Sequence, residues 1–123
     1  MRLLALCALI ALAAIASPAL GADAAKGKKL FEVCAKCHAI TADSDSTLVG
    51  PPLKGVVGRK AASVEDFRYS SAMRASGITW TEQDIKEYVA NPQAKVKGNR
   101  MALTAAFEPA DIDDIIAYLK TLK

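Results

Sequence analysis

The stretch CAKCH, residues 34–38, holds two of the chain's three cysteines and its only histidine. It constrains the fold more than any other feature, because a short chain that concentrates its thiols and its imidazole in five residues must build around whatever they hold. Three chemistries use two cysteines three apart: a metal clip, a redox dithiol, and covalent attachment of a larger group. A structural zinc site takes four ligands, commonly a second Cys pair or further histidines, and the chain beyond His38 offers neither. A thioredoxin-like dithiol belongs near a βαβ pattern, and no stretch here alternates apolar and polar residues for long. Haem attachment fits the spacing. Residues three apart lie nearly one helical turn from each other, so the Cys34 and Cys37 sulfurs face one side. From there they can form thioethers with the two vinyl groups along one porphyrin edge, and His38 projects toward the iron. C-x-x-C-H is a specific signal for c-type haem. The expectation is one haem c, covalent via Cys34 and Cys37, with His38 as an iron ligand.

The rest of the composition agrees. A chain of 123 residues with a formal charge of +3 is one small domain. Its 52 % apolar content is inflated by the opening segment. Arg2, an apolar run from Leu3 to Ala16, then Pro18 and the small-residue stretch to Ala22 read as a secretory signal peptide over residues 1–22, cut after Gly21 or Ala22. The run is short for a membrane span, which needs roughly 20 residues; an uncleaved anchor is the alternative. A mitochondrial transit peptide would be rich in Arg and Ser, and this segment is not. Cleavage discards Cys7 and leaves residues 23–123 as one domain whose cysteines both lie in CAKCH. Exported compartments oxidise thiols, yet a disulfide across three residues would staple almost nothing. With 6 % aromatic residues the core is thin, and a flat apolar cofactor would complete it. The apoprotein is therefore expected to be poorly folded, since binding is linked to folding.

The pattern along residues 23–123 predicts an all-α fold. Asp23 is placed to cap a first helix containing Leu30, Phe31 and Cys34. A long loop is expected from about Ala39 to Arg59, where GPPLKGVVGR argues against regular structure. One short helix is expected around Ser70 to Ala75. Thr81 with Asp84 three residues on suggests a capping box for a helix with Ile85, Tyr88 and Val89 on one face, stopped by Asn91-Pro92. The last helix has Pro109 in its first turn, acids Asp111, Asp113 and Asp114 near its start, Lys120 and Lys123 at its end, and Ile112, Ile115, Ile116 and Leu119 at i, i+3, i+4, i+7.

Iron held by His38 has a sixth position. The chain has no second His, and Lys would need deprotonation, so Met is the best candidate. Met1 leaves with the signal peptide; Met73 and Met101 both stand open, and core packing is the commoner fate of either.

The segments GKKLFEVCAKCH, GPPLKGVVGRK, FRYSSAM, GITW, EYVANPQAKVKGNRM and IIAYLK follow one another as in the class I c-type cytochromes. The chain resembles that family over essentially all of residues 23–123. The resemblance implies the class I cytochrome c fold, three main helices plus short ones and loops wrapped around one haem. It implies Met101 as the sixth ligand, with Met73 packed beside the haem. It also implies that the Pro51 carbonyl fixes the His38 ring, that Tyr69 and Trp80 bind a buried haem propionate with Arg59 as nearby compensating charge, and that Tyr88 lies beside the Met101 sulfur. Gly27, Phe31 and Tyr118 should form the crossing of the first and last helices. The sequence departs from mitochondrial members at Lys97 (usually Pro), Asn99 (usually Thr) and Leu103 (commonly aromatic), and by a longer loop after His38.

The resulting expectation is a monohaem electron carrier of the periplasm, a monomer rather than an enzyme, since no paired acid and base is visible. A catalytic or sensing haem protein with an open iron position is the second class, and a dedicated subunit of a dehydrogenase or oxidase the third. Expected partners are redox proteins: a membrane reductase such as a cytochrome bc complex, a terminal oxidase, or a periplasmic dehydrogenase. No nucleic-acid partner is expected. A basic face of Lys29, Lys36, Lys95, Lys97 and Arg100 around the haem edge would steer an acidic partner, with the acids gathered at the start of the last helix.

Overall fold

The computed structural model describes residues 21–41 and 49–123. The expected signal peptide falls almost wholly outside these residues, as does the middle of the loop after His38.

Helix α1 spans Ala24–Leu30. The Asp23 carboxylate starts it by accepting the backbone N–H groups of Ala25 at 2.9 Å and Lys26 at 3.1 Å, which satisfies donors that a helix start leaves free. The α-helix was expected to reach Cys34. It instead tightens after Leu30 into a 3₁₀ segment, Phe31–Lys36. The tighter turn suits the motif, because side chains three apart eclipse in a 3₁₀ helix.

Helix α2, Ser71–Ala75, is capped by the Ser70 hydroxyl, which accepts the Met73 N–H at 3.0 Å. Helix α3, Glu82–Ala90, begins with the expected cap: the Thr81 hydroxyl oxygen accepts the Asp84 N–H at 3.1 Å. Asn91 ends α3 and at once caps a further turn, α4, Pro92–Lys95, through its side-chain oxygen and the Ala94 N–H. The sequence reading stopped at Asn91-Pro92 and did not foresee this turn. Helix α5, Pro109–Leu119, opens on Pro109.

Packing follows the helical periodicity. Ile112, Ile115, Ile116 and Leu119 are all buried, and they meet Phe31, Ile85, Val56, Trp80, Met73 and Val96 in one core. Full burial of an Ile side chain contributes about 1.5–3 kcal/mol, so the two nearly inaccessible residues Ile112 and Ile115 anchor α5. Helix α1 crosses α5 at Gly27, which is buried. A Cβ there would stand 1.9 Å from the Asp114 carbonyl oxygen, so only glycine permits this approach. Beside it Phe31 and Tyr118 meet edge-to-face with centroids 5.2 Å apart. All three residues of the expected crossing are thus in place.

Between the motif and α2 the described chain is loop and turn. Residues 58–61 run antiparallel to 78–80: Gly58 N–H donates to Trp80 O at 2.7 Å, Trp80 N–H to Arg59 O at 2.9 Å, and Ala61 N–H to Ile78 O at 2.7 Å. Among the described residues this is the only β feature, an isolated bridge at Lys60 and Thr79, and no helix is long and apolar enough to cross a membrane.

Candidate functional site

The 3₁₀ segment brings the motif together. Cys37 N–H and His38 N–H both donate to the Cys34 carbonyl, at 3.0 and 2.9 Å, which folds Cys34 through His38 into a single turn. Both thiols are free; Cys34 is half-buried against the core and Cys37 is exposed. Burial pushes the Cys34 thiol up from its ordinary value.

His38 is fixed from behind. Its Nδ1 lies 2.7 Å from the Pro51 carbonyl oxygen. A carbonyl can only accept, so Nδ1 carries the proton and Nε2 keeps the lone pair that a metal requires. Burial lowers the His38 pKa, the Pro51 carbonyl opposes that shift, and the Arg59 charge adds to it. The net direction favours the neutral, ligating form. Gly50 makes this contact possible. Its N–H donates to the Cys37 carbonyl at 2.8 Å, and a Cβ at Gly50 would come 2.5 Å from His38 Cε1.

Arg59 secures the same loop. Its guanidinium donates to the carbonyls of Pro52 and Lys54, both at 3.0 Å. Burial lowers the Arg59 pKa, and Tyr69 partly opposes that shift. The Arg59 backbone pairs with Trp80, and Tyr69 acts on the Arg59 charge, so Arg59 has both residues as neighbours. Trp80 is buried and packs on Tyr88, with ring centroids 5.0 Å apart, whereas Tyr69 meets Phe67 edge-on at 4.8 Å.

Met101 is half-buried in the loop after α4. Met73 sits on α2 and is 9 % exposed within the core. The hydroxyl of Tyr88 donates to Asn99 Oδ1 at 3.1 Å, and the same oxygen accepts the Met101 N–H at 2.7 Å. Tyr88 is therefore joined to Met101 through Asn99. Burial pushes the Tyr88 hydroxyl up to about 12, so it stays a donor at ordinary pH. Sequence reasoning noted Asn99 as a departure and missed it as a junction.

The basic face differs from expectation at Lys95. Its ammonium pairs with Asp84 at 2.7 Å and Glu87 at 2.6 Å, so it is not a free docking charge. Lys29, Lys36, Lys97 and Arg100 are exposed. The acids at the start of α5 are paired as well, Asp111 and Asp114 with Lys26 and Asp113 with Lys86.

Two thiols on one turn, a neutral imidazole with a locked tautomer and an apolar interior fit a haem bonded at one edge and ligated by His38. Among the described residues no three His, Cys, Asp or Glu side chains converge as a rival metal clip would need. Fold and motif together define an all-helical protein with a covalently attached c-type haem. The chain belongs to the cytochrome c family, which it matches over residues 24–123, and it is a class I monohaem c-type cytochrome. It is 41 % identical over 112 residues to cytochrome c2 of Blastochloris viridis, covering 91 % of this chain and 87 % of that one. It is 42 % identical over 97 residues to cytochrome c-550 of Nitrobacter winogradskyi, covering 79 % and 88 %. Among solved structures, cytochrome cH from Methylobacterium extorquens superposes with a TM-score of 0.73 at 44 % identity, covering 80 % of this chain and 98 % of that one. Membership makes the chain an electron-transport protein bearing one haem c, and Cys34 and Cys37 have the spacing of the family's attachment motif.

Proposed function

We propose that this protein is a periplasmic electron carrier whose haem is joined to Cys34 and Cys37 and ligated axially by His38 and Met101. The observation that carries the reading is the His38 ring, held by Pro51 so that Nε2 is free, at the end of the turn that presents both thiols. When bound, the haem accepts and returns one electron as its iron alternates between Fe(III) and Fe(II). The residues of the chain keep that exchange simple. Pro51 and Gly50 hold the imidazole in place, and Met101 supplies a soft thioether that, with His, raises the potential. Arg59, Tyr69 and Trp80 form the polar and charged wall expected to meet a propionate. Tyr88 lies on the Met101 side, and Met73 packs in the core. Export through a cleaved N-terminal signal places the carrier in the periplasm. Exposed Lys29, Lys36, Lys97 and Arg100 suit acidic redox partners, of the reductase, oxidase or dehydrogenase kind.

The test is the absorption spectrum of the protein matured in a haem-attaching host. Met101→Ala should abolish the weak far-red band of Met-ligated ferric haem, lower the potential and admit small ligands. Met73→Leu should leave the band in place. The opposite pattern would exchange the two methionines, and colour lost to acidified organic solvent would show that the haem is not covalent.

A further inference from the structure

Asn99 uses its whole amide inside the Met101 loop, and it is buried at 7 % exposure. Its Nδ2 donates to the carbonyls of Pro92 at 2.9 Å and Val96 at 2.8 Å. Its Oδ1 accepts from the Tyr88 hydroxyl at 3.1 Å and from the Met101 N–H at 2.7 Å. Two protons and two lone pairs are the full capacity of a primary amide. A hydroxyl side chain has one proton to give and cannot reproduce this set. The chain reaches Asn99 through a turn at Gly98, whose φ is +91°. Gln93 braces the same turn by donating to Asn99 O at 3.0 Å and accepting the Gly98 N–H at 3.1 Å.

We propose that Asn99 is the positioning residue for the Met101 ligand: it clamps the ligand's main chain to α3 through Tyr88 and to α4 through Pro92, and so sets how readily the thioether leaves the iron. The proposal rests on Met101 being the axial ligand. A thioether is a neutral donor in competition with any small ligand. How often it yields depends on what the loop must give up in order to swing away. The Met101 N–H bond to Asn99 is lost in that movement, and the buried amide oxygen keeps only the Tyr88 hydroxyl as a donor. The Tyr88 hydroxyl has one proton, and in this arrangement it goes to Asn99.

The test is a titration of the ferric holoprotein with imidazole, following loss of the far-red band. One neutral hydrogen bond changes an equilibrium by about fivefold. Asn99→Ala should therefore lower the imidazole concentration at half-displacement about fivefold. Gln93→Ala removes two bonds from the same turn but none to Met101, and should leave that concentration within about twofold. Tyr88→Phe, which keeps the Asn99–Met101 bond, should fall between them. A wild-type midpoint in Asn99→Ala, or an equal shift in Gln93→Ala, overturns the proposal. Persistence of the far-red band in Met101→Ala would instead show that the ligand reading itself is wrong. If Asn99→Ala does not mature, amide hydrogen exchange in the wild-type ferrous protein decides. The Met101 N–H should exchange slowly, and exchange at an open-chain rate sinks the clamp.

Discussion

Replacing Gly27 by Ala sets two effects of opposite sign against each other, and the structure says which wins. Alanine is the better helix former, by about 1 kcal/mol in a helix interior. At Gly27, however, the new Cβ would stand 1.9 Å from the Asp114 carbonyl oxygen and 2.4 Å from its carbon, where ordinary contact begins near 3.4 Å. The obstacle is backbone, so no rotamer change relieves it. Helices α1 and α5 must part by about 1.5 Å along that line, beside Ile115 at 1 % exposure and the Phe31–Tyr118 ring pair. Overpacking of a dense core costs about 1–3 kcal/mol, and a backbone obstacle belongs at the upper end. The net change is a destabilisation of about 2 kcal/mol. For a domain of this size that is a fall in Tm of about 8–16 °C. The assay is thermal unfolding of the mature holoprotein followed by helix content. Because the haem is covalent, the midpoint contains no cofactor dissociation. Ala25→Gly, at an exposed position in the first turn of α1, is the comparison, and should cost no more than the roughly 1 kcal/mol of interior propensity. A Gly27→Ala protein as stable as wild type, or more so, would refute the close crossing. The far-red band should survive in either variant.

Two further outcomes follow from the charges. The Asp114 carboxyl is held below its ordinary value of 3.8, first by the Asp23 backbone N–H and then by Lys26; a lowered folded value means stability that is present above pH 3.8 and lost as pH falls through the folded value. Asp114→Asn should flatten the acid limb of unfolding midpoint against pH, and an unchanged limb would remove Asp114 from acid sensitivity. Docking charge should be graded: Lys97→Glu and Arg100→Glu should slow the bimolecular rate with an acidic redox partner and weaken its dependence on ionic strength, whereas Lys95→Ala, which removes one charge rather than reversing it, should do both to a smaller extent. A loss with Lys95→Ala equal to that with Lys97→Glu would contradict the pairing of Lys95 with Asp84 and Glu87.

What was legible in the sequence is what local spacing determines. Cys34, Cys37 and His38 could be read because a covalent group with fixed attachment points demands neighbouring residues, and residues three apart share a side in either helix type. The buried face of α5 could be read because Ile112, Ile115, Ile116 and Leu119 repeat at the helical period. Thr81 sits where a helix start needs an acceptor, and it does cap. The change to 3₁₀ after Leu30 could not be read, because it is a small adjustment of hydrogen bonding that leaves the side-chain pattern almost the same. Helix α4 was missed for a related reason. Asn91-Pro92 signals a stop, yet the same Asn side chain can cap a new turn, and Pro is well suited to a first position.

The site residues divide along the same line. Pro51 and Gly50 act on His38 across a loop, and only the resemblance pointed to Pro51. Asn99 and Lys95 depend on how α3, α4 and the following loop fold back on one another. Lys95 stands eight residues from Glu87 and eleven from Asp84, outside the three- and four-residue spacings that a single helix would pair. The break at Asn91-Pro92 turns α4 back against α3 and brings the ammonium to both carboxylates. A count of lysines near the haem loop therefore overstates the free positive charge by one. A count of acids at the start of α5 overstates the free negative charge as well, since Lys26 and Lys86 lie against them. Neutralisation at both ends shrinks the molecular dipole while the net charge stays at +3. In the proposed docking, steering rests on Lys29, Lys36, Lys97 and Arg100, and screening by salt over about 10 Å at 0.1 M acts on those four.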